Sequence, residues 1–322
     1  MNPYPPIAPV ADGAPRPFWS VMIPTYEPDP EFLRQMLASV LAQDPGSAAM
    51  EIALVDDASR RIDPRDCVPA GGRERIACFR QAERVGIGRN WNACVQRARG
   101  HWVHILHQDD LLRPGFYERL RAGIESCPSA GAAFCRDVIV DPRGAVVTSQ
   151  RQLRDCPGIL DDWIEHIFVG LHLRAVALVV KREVYETLGG FRLDLDYALD
   201  WDMWKRIAAA RPLWYEPEAL ACYRSHGASA SIGFQRVGDN IAEIARSIAL
   251  SEPLLPPASA EDLTRRTRAG YTRYAVGLAW QAFAKRDLRT AIAQLRAARA
   301  LAPPRAIAIE LARRARRAWN ER

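Results

Sequence analysis

Short apolar runs alternate with amphipathic stretches through the first half of the chain. The apolar runs are typical of buried strands, and they occupy residues 19–23, 51–55, 76–80, 102–106 and 132–141. Between them, apolar residues recur at helical spacing, which predicts helices at residues 31–43, 91–99 and 119–127. Strands that alternate with helices predict an α/β fold, with a mostly parallel sheet that is flanked by helices on both faces.

The two ends of the chain differ in composition from this alternating part. Residues 1–17 are rich in proline and lack the basic start and apolar stretch of a secretory signal, so we expect a disordered arm. Residues 237–322 are rich in alanine, arginine and leucine, which predicts a C-terminal all-helical extension with a hairpin at 274–284 and 288–301. The α/β domain is then predicted at residues 18–236. No apolar run reaches the roughly 18 residues of a membrane-spanning helix, and the expected location is the cytoplasm.

Charge is distributed unevenly along the chain. The formal net charge is +6, but residues 260–322 carry 15 basic and 5 acidic side chains, a net charge of +10. The other residues hold 29 basic and 33 acidic side chains, a net charge of −4. An excess of positive charge favours an anionic partner, such as lipid headgroups, nucleic acid or an acidic protein.

Residues 304–319 have the pattern of an amphipathic helix. Ile307, Leu311 and Trp319 share one arc with several alanines, and four arginines between positions 313 and 317 lie opposite. One interpretation is contact with anionic lipid at the inner face of the plasma membrane. The other is a helix that packs on the hairpin with its arginines in solvent, and the alanine-rich arc favours it. Nucleic acid is the least favoured partner of this segment.

Acidic residues follow two of the predicted strands, and in α/β sheets ligands bind beyond the carboxyl ends of strands. Asp56 and Asp57 follow the second strand, and Asp109 and Asp110 follow the fourth. The second pair has no basic neighbour in sequence, and hard carboxylate oxygens select Mg2+ or Mn2+, ions that bridge a protein to substrate phosphates. From this pair alone, a solvated loop is the favoured alternative.

Three histidines recur along the fourth strand and at its ends. His101, His104 and His107 are three residues apart, so in a strand His101 and His107 share one face and His104 lies on the other. A metal site of three histidines is one interpretation, and packing of buried or half-exposed histidines is the favoured one.

Further motifs surround these acidic residues in a specific order. They are Pro24-Thr25-Tyr26, Val85–Asn92, Leu188–Phe191, Asp200–Arg206 and Tyr223–His226. Together with Asp109-Asp110, this ordered set closely resembles the family-2 glycosyltransferases of the GT-A fold, a Rossmann-like α/β architecture. Each motif is weak by itself, but their order and spacing over about residues 18–230 are highly specific.

The resemblance implies a role for each matching residue. The residues that it places around the nucleotide and the sugar are Pro24, Thr25, Tyr26, Asp57, Arg89 and Asn92. Asp109 and Asp110 match the acidic metal motif, with Asp110 the direct ligand of Mn2+ or Mg2+. His226 matches a histidine that in some relatives reaches the metal or the diphosphate, and Asp200 matches the general base. Glu27 departs from the family, in which Asn is common at this position.

These roles predict a metal-dependent inverting glycosyltransferase. The cation would neutralise the diphosphate leaving group, and a carboxylate on the opposite face of the sugar would take the proton of the attacking hydroxyl. The resemblance implies a nucleoside diphosphate sugar as donor, UDP- or dTDP-linked by preference. It also implies a glycan or lipid-linked acceptor in bacterial surface-polysaccharide synthesis.

Two other functions are compatible with the same motifs. One is a catalytically inactive nucleotide-sugar-binding or scaffolding protein whose helical tail is the working part. The other is a nucleotidyltransferase, which usually has a glycine-rich phosphate loop after the first strand. It is disfavoured because this chain has Pro24-Thr25-Tyr26-Glu27 at that turn.

Overall fold

The chain forms two compact units. The computed structural model describes residues 3–11, 13, 15–161, 163–170, 173–227 and 229–320. The first unit comprises Met1–Trp163, His172–Asp194 and Ala210–His226, and the second comprises Ile164–Leu171, Leu195–Ala209 and Gly227–Arg322. The predicted helical extension falls within the second unit, which also takes two shorter segments from the predicted α/β domain.

Strands and helices alternate in the first part of the described chain, as the sequence predicts. The strands are β1 (Trp19–Thr25), β2 (Met50–Asp56), β3 (Ile76–Arg80), β4 (Trp102–Ile105), β5 (Leu111–Leu112), β6 (Ala132–Val140), β7 (Val146–Ser149), β8 (Gly158–Ile159), β9 (Leu178–Lys181) and β10 (Leu213–Arg224). The helices are α1 (Pro30–Leu41), α2 (Ile87–Arg97), α3 (Phe116–Ser126), α4 (Trp163–Val169), α5 (Arg182–Leu188), α6 (Leu199–Ala210), α7 (Ala230–Val237), α8 (Asp239–Ser251), α9 (Ala260–Ala284), α10 (Leu288–Ala297) and α11 (Pro304–Asn320).

The strands of the first unit form one mixed sheet. Its main path is β3-β2-β1-β4-β9-β6-β10-β5, with β7 paired to β6 and β8 to β10. Strands β1 to β4 run parallel to one another, as predicted. Strand β9 is antiparallel to both β4 and β6, whereas β6 and β10 are parallel. The carboxyl ends of β1, β2 and β4 therefore meet at one edge.

Helix α1 illustrates how the sequence fixes an element. The Asp29 side chain accepts hydrogen bonds from the backbone N–H groups of Glu31 and Phe32, and Pro30 occupies the first turn. Such a cap satisfies donors that the helix itself leaves unpaired. The buried residues are Leu33, Met36, Leu37 and Val40. Burying each of them contributes about 1.5–3 kcal/mol, so this face sets the position of the helix.

Strand β10 is a long element that the sequence pattern does not predict. It contains Pro217, which cannot donate to a neighbouring strand, between two glutamates. The pairing with β6 shifts register between Glu216 and Ala219 and again before Ala221. These irregularities interrupt the alternation of apolar and polar residues, which is why β10 is not recognised in the sequence.

The N-terminal segment packs against the first unit rather than extending as a disordered arm. Ile7 is buried, and the Pro5 carbonyl accepts a hydrogen bond from the Gly190 N–H group. The Arg182 guanidinium donates to the carbonyl of Ala8 at 3.0 Å. The high proline content of this segment suits an extended chain that docks through its carbonyl groups.

The second unit contains the predicted helical hairpin. Helix α9 begins fourteen residues before the predicted start, at Ala260, and α10 follows after a turn in which Asp287 caps the Thr290 N–H group. In α11, Ile307 is buried, as expected of a helix that packs on the hairpin. None of the helices in the described ranges combines the length and apolarity needed to cross a bilayer.

Candidate functional site

Three potential metal ligands cluster just beyond the carboxyl end of β4. Single ligand atoms of His107, Asp109 and Asp110 lie within 4.8 Å of one another. The Nδ1 atom of His107 is 3.6 Å from Oδ2 of Asp110. Carboxylate and imidazole groups bind divalent transition metals such as Mn2+, so the donor set fits the predicted ion.

Asp110 is the centre of this cluster. Its side chain is 1% exposed, and its Oδ1 atom accepts a hydrogen bond from the Arg224 N–H group at 2.9 Å. Its Oδ2 atom has no hydrogen-bond partner among the described residues. Burial, together with the charge of Asp109, raises the pKa of Asp110 well above its ordinary value. A buried carboxylate oxygen without a donor is unfavourable unless a cation compensates it, so the geometry fits a metal ligand.

His226 contacts the same cluster through Asp109. Its Nε2 atom lies 2.7 Å from Oδ2 of Asp109, and its ring packs against Phe32. The structure therefore brings together Asp109, Asp110 and His226, three of the residues predicted for the metal site. The contact of His226 is with the carboxylate of Asp109.

Arg224 fixes the loop that carries the acidic pair. Its guanidinium donates to the carbonyl oxygens of Asp109 and Pro142 and to Oε1 of Gln35, each at 2.8–2.9 Å. Sequence reasoning did not assign a role to Arg224 because these partners come from distant segments. The guanidinium therefore stabilises the loop by donating hydrogen bonds to backbone carbonyl groups.

His107 is a second residue that sequence reasoning did not place in the site. The recurrence of histidine at every third position grouped it with His101 and His104, but these side chains differ in environment. His104 is fully buried, with Nδ1 3.0 Å from the Tyr117 hydroxyl and Nε2 3.1 Å from the Val176 carbonyl. Burial lowers the pKa of His104 to about 3. His104 is therefore a core residue, as the favoured interpretation predicts, whereas His107 lies beyond the end of β4.

The turn after β1 joins this loop. The Tyr26 N–H group donates to Oε1 of Gln108 at 2.9 Å, and the Gln108 side chain donates to the Tyr26 carbonyl. The ring of Tyr26 is partly exposed, with the Arg84 guanidinium 4.3 Å from its centroid. Pro24 and Thr25 are buried within β1. The predicted nucleotide turn and the metal cluster therefore share one edge of the sheet.

Asp57 orders the loop that leads into α2. Its carboxylate accepts hydrogen bonds from the backbone N–H groups of Val85, at 2.6 Å, and Gly86, at 3.0 Å. Gly86 has φ +88°, a conformation that glycine adopts without strain. The Asp57 side chain is buried, and each carboxylate oxygen can accept a further hydrogen bond.

Glu27, the departure from the family pattern, links two turns. Its backbone N–H group donates to the Ser59 hydroxyl, and its carboxylate accepts from the N–H groups of Arg60 and Arg61. The Arg60 N–H group holds the pKa of Glu27 below its ordinary value. A carboxylate here can satisfy several donors at once, which stabilises the loop after β2.

Asn92 is buried and pairs with the backbone of Phe191. Its Nδ2 atom donates to the Phe191 carbonyl at 2.9 Å, and its Oδ1 atom accepts from the Phe191 N–H group at 2.7 Å. A Cβ atom on Gly190 would lie 2.1 Å from Oδ1, so only glycine fits there. Asn92 therefore positions the backbone at 190–191, and its contact with the nucleotide or sugar stays a prediction. Arg89, in the first turn of α2, is exposed.

Asp200 lies in the second unit, at the start of α6. Its carboxylate accepts a hydrogen bond from the Trp201 N–H group at 2.6 Å. Asp202, in contrast, is buried and pairs with Arg206 at 3.0 Å, which is the structural role expected for it. Trp201 and Trp204 are buried as well, so they are packing residues. The role of Asp200 as general base stays a prediction.

Comparison with known proteins identifies the family. Residues 20–175 match the model of glycosyl transferase family 2. The chain carries a family-2 glycosyltransferase domain. The matched range contains β1 to β4, the cluster at 107–110 and the turn at 24–26, so the predicted family and enzyme class are confirmed.

Three curated relatives of this glycosyltransferase differ in how much of their length they share with it. The uncharacterized protein MT1568 of Mycobacterium tuberculosis is 28% identical over 75% of this chain and 78% of its own. The O-antigen biosynthesis protein RfbC of Myxococcus xanthus is 26% identical over 74% of this chain but 19% of its own. The succinoglycan biosynthesis protein ExoO of Rhizobium meliloti is 33% identical over 38% of this chain and 34% of its own. The chain thus spans only a minor part of RfbC and ExoO.

Two solved structures share the fold of the glycosyltransferase. S. aureus TarS, in complex with UDP-GlcNAc, superposes with a TM-score of 0.66 at 15% identity, over 88% of this chain and 81% of that one. The mannosyltransferase PcManGT of Pyrobaculum calidifontis, in complex with GDP-Man and Mn2+, gives a TM-score of 0.61 at 21% identity. That match covers 96% of this chain and 83% of the other. The predicted GT-A fold is confirmed.

Proposed function

We propose that this chain is a metal-dependent inverting glycosyltransferase that uses a nucleoside diphosphate sugar. The observation that carries the proposal is the buried Oδ2 atom of Asp110, which lacks a hydrogen-bond partner among the described residues and lies beside His107 and Asp109. A cation at this edge of the sheet would be adjacent to the turn that the resemblance assigns to the nucleotide. Both the Mn2+ in the PcManGT structure and the nucleotide sugars in both solved structures support this choice.

The residues of this chain would form a metal site and a nucleotide site. Asp109, Asp110 and His107 would hold Mn2+ or Mg2+, and the ion would supply neutralisation of the diphosphate charge. The partly exposed ring of Tyr26 and the loop that Asp57 orders would hold the base and ribose, with UDP or dTDP preferred.

Asp200 is our candidate for the general base. Its carboxylate would accept the proton of the acceptor hydroxyl while the new bond to the anomeric carbon forms. The bond to the diphosphate breaks in the same displacement, and the diphosphate leaves with the electron pair. A single displacement inverts the anomeric carbon, and a positioned base typically contributes about 10²–10⁴ in rate.

The acceptor that we propose is a glycan or lipid-linked hydroxyl in bacterial surface-polysaccharide synthesis, on the cytoplasmic side. The biosynthetic roles printed for RfbC and ExoO support this class. The identity of the sugar is an experimental question, since the two solved neighbours bind different nucleotide sugars.

The proposal is tested with the full chain and a panel of UDP-, dTDP- and GDP-linked sugars. Mn2+ should raise the melting temperature together with one donor, since ligands that bind the native state stabilise it. The variant Asp110→Asn should lose this metal-dependent shift, whereas Asp66→Asn, an exposed carboxylate of the same unit, should keep it.

The assignment of the base is tested separately. Asp200→Asn should retain donor binding and lose most of the transfer to an accepted glycan. Transfer at the wild-type rate by this variant would refute the base. Metal-dependent donor binding without turnover on any acceptor would instead favour the inactive nucleotide-sugar-binding protein.

A further inference from the structure

The turn between α9 and α10 exposes large apolar side chains. Every residue from 283 to 289 is exposed, including Phe283 at 59% and Leu288 at 55% of their full accessible surface. Ile292, one helical turn after Leu288 on the same face of α10, is 49% exposed. Solvated apolar groups that lie close together mark surfaces that contact another body.

Helix α11 packs along α9. Arg268 of α9 donates to the carbonyl of Ala300, and Thr272 of α9 and Ala306 of α11 line one cavity. Further along, a Cβ atom on Gly277 of α9 would lie 2.8 Å from the guanidinium of Arg314. Helices α9 and α11 therefore run parallel.

The two helices also end at the same level. From the contact at Gly277, about 10 Å of α9 and about 9 Å of α11 remain. Trp319, which is 77% exposed, consequently lies at the same end of the helical group as Phe283 and Leu288. We call this surface, formed by residues 283–289, Ile292 and 316–319, the hairpin tip.

The hairpin tip is also basic. Its exposed cations are Lys285, Arg286, Arg289, Arg316 and Arg317. Its one acidic residue, Asp287, is engaged in capping α10 through the N–H group of Thr290. Aromatic and aliphatic side chains surrounded by arginine and lysine are the combination that binds the interface of an anionic bilayer.

We propose that the hairpin tip docks onto a membrane surface that contains anionic phospholipid. Phe283, Leu288 and Trp319 enter the boundary between headgroups and acyl chains, and the basic residues contact the phosphates. This differs from a helix that lies flat on lipid through its apolar arc, because Ile307 in that arc is buried. A second copy of the chain is a poorer occupant, since two facing tips would bring five cations against five.

The test is flotation of the full chain with phosphatidylcholine vesicles, with or without phosphatidylglycerol, at about 0.1 M salt. Binding should require phosphatidylglycerol. The variant Lys285→Glu/Arg289→Glu should lower the partition coefficient by at least about thirtyfold, since each basic residue near an anionic surface contributes about fivefold. The matched variant Arg296→Glu/Arg299→Glu reverses two exposed cations at the other end of α10 and should retain most of the binding.

Apolar insertion is tested with a second pair of variants. Phe283→Ser/Leu288→Ser should reduce binding, whereas Leu254→Ser/Ile309→Ser, which changes two exposed apolar residues away from the tip, should not. Equal binding by both members of either pair would overturn the proposal. So would self-association without lipid that Leu288→Ser abolishes, or binding to DNA that exceeds binding to vesicles. None of these measurements depends on glycosyl transfer, so their outcome is separate from that of the proposed activity.

Discussion

A single side-chain amide ties helix α2 to a segment that is a hundred positions away in the chain. Asn92 both donates to and accepts from the backbone of Phe191, and it is 5% exposed. The side-chain amide thus makes the same pair of hydrogen bonds with Phe191 that a residue of a neighbouring antiparallel strand would make. It holds the Gly190-Phe191 backbone against α2.

We predict that Asn92→Asp lowers the free energy of unfolding by about 1–3 kcal/mol, because the variant loses the hydrogen bond from Nδ2 to the Phe191 carbonyl and buries a carboxylate in its place. Urea denaturation of the purified variant measures this change. Arg89→Ala, on the exposed face of the same helix, is the control and should leave the midpoint within error. An unchanged midpoint for Asn92→Asp would contradict this positioning role.

At the scale of elements, the sequence is most informative where burial is continuous. Strands β1 and β2 are almost wholly buried, so their apolar runs predict them directly. Helix α2 begins at Ile87, four residues before the predicted start. The prediction places the start too late because Gly86 and Gly88 are typical of a loop. A Cβ atom on Gly88 would lie 3.1 Å from the Arg192 carbonyl, which is a reason for glycine there that only the tertiary structure gives.

The same distinction applies to the candidate site. Asp109 and Asp110 were assigned to the metal site through the ordered set of motifs, because the pair by itself favours a solvated loop. His107 was not, since it recurs with His101 and His104 along the chain, a pattern for which packing is the favoured interpretation. The function of Arg224 depends on carbonyl groups from three other segments, and no local pattern encodes such a convergence.

The packing of α6 against α8 places a buried lysine between the two helices. Lys205 is fully buried, donates to the carbonyl and hydroxyl of Ser247, and lies 3.6 Å from the ring centroid of Trp201. Burial lowers the pKa of Lys205 to about 7, from an ordinary value of 10.5. The folded protein therefore binds this proton more weakly than the unfolded chain does.

This difference predicts the pH dependence of stability. Below about pH 7 both states carry the proton, and the full cost of burying the charge applies. Between about pH 7 and 10.5 only the unfolded chain holds the proton, so the free energy of unfolding should rise with pH, by a few kcal/mol in all. Lys205→Met should remove this rise, whereas Lys181→Met, which changes a partly exposed lysine, should keep it. Denaturant titrations at pH 6 and 9 give the comparison, and parallel curves for wild type and Lys205→Met would contradict it.

At the scale of the whole molecule, each compact unit contains buried apolar residues and a proposed binding surface of its own. The core of the first unit includes Val21, Ile23 and Leu37, and that of the second includes Ile241 and Leu263. The metal cluster belongs to the first unit, and the hairpin tip belongs to the second. A bound ligand suppresses the unfolding events in which its binding site is lost. We therefore expect each ligand to slow hydrogen exchange mainly in the unit that holds its site.

We therefore predict that Mn2+ alone protects only the first unit from hydrogen exchange. Saturation at about a hundred times the dissociation constant contributes about 2.7 kcal/mol to the native state. Slower exchange should appear at residues 105–112 and 222–226, because the Asp110 carboxylate accepts a hydrogen bond from the Arg224 N–H group. Peptides from α8 and α9 should exchange at unchanged rates, and Asp110→Asn should abolish the protection. Protection of α8 or α9 by Mn2+ alone would mean that the ion binds elsewhere or that the units unfold together.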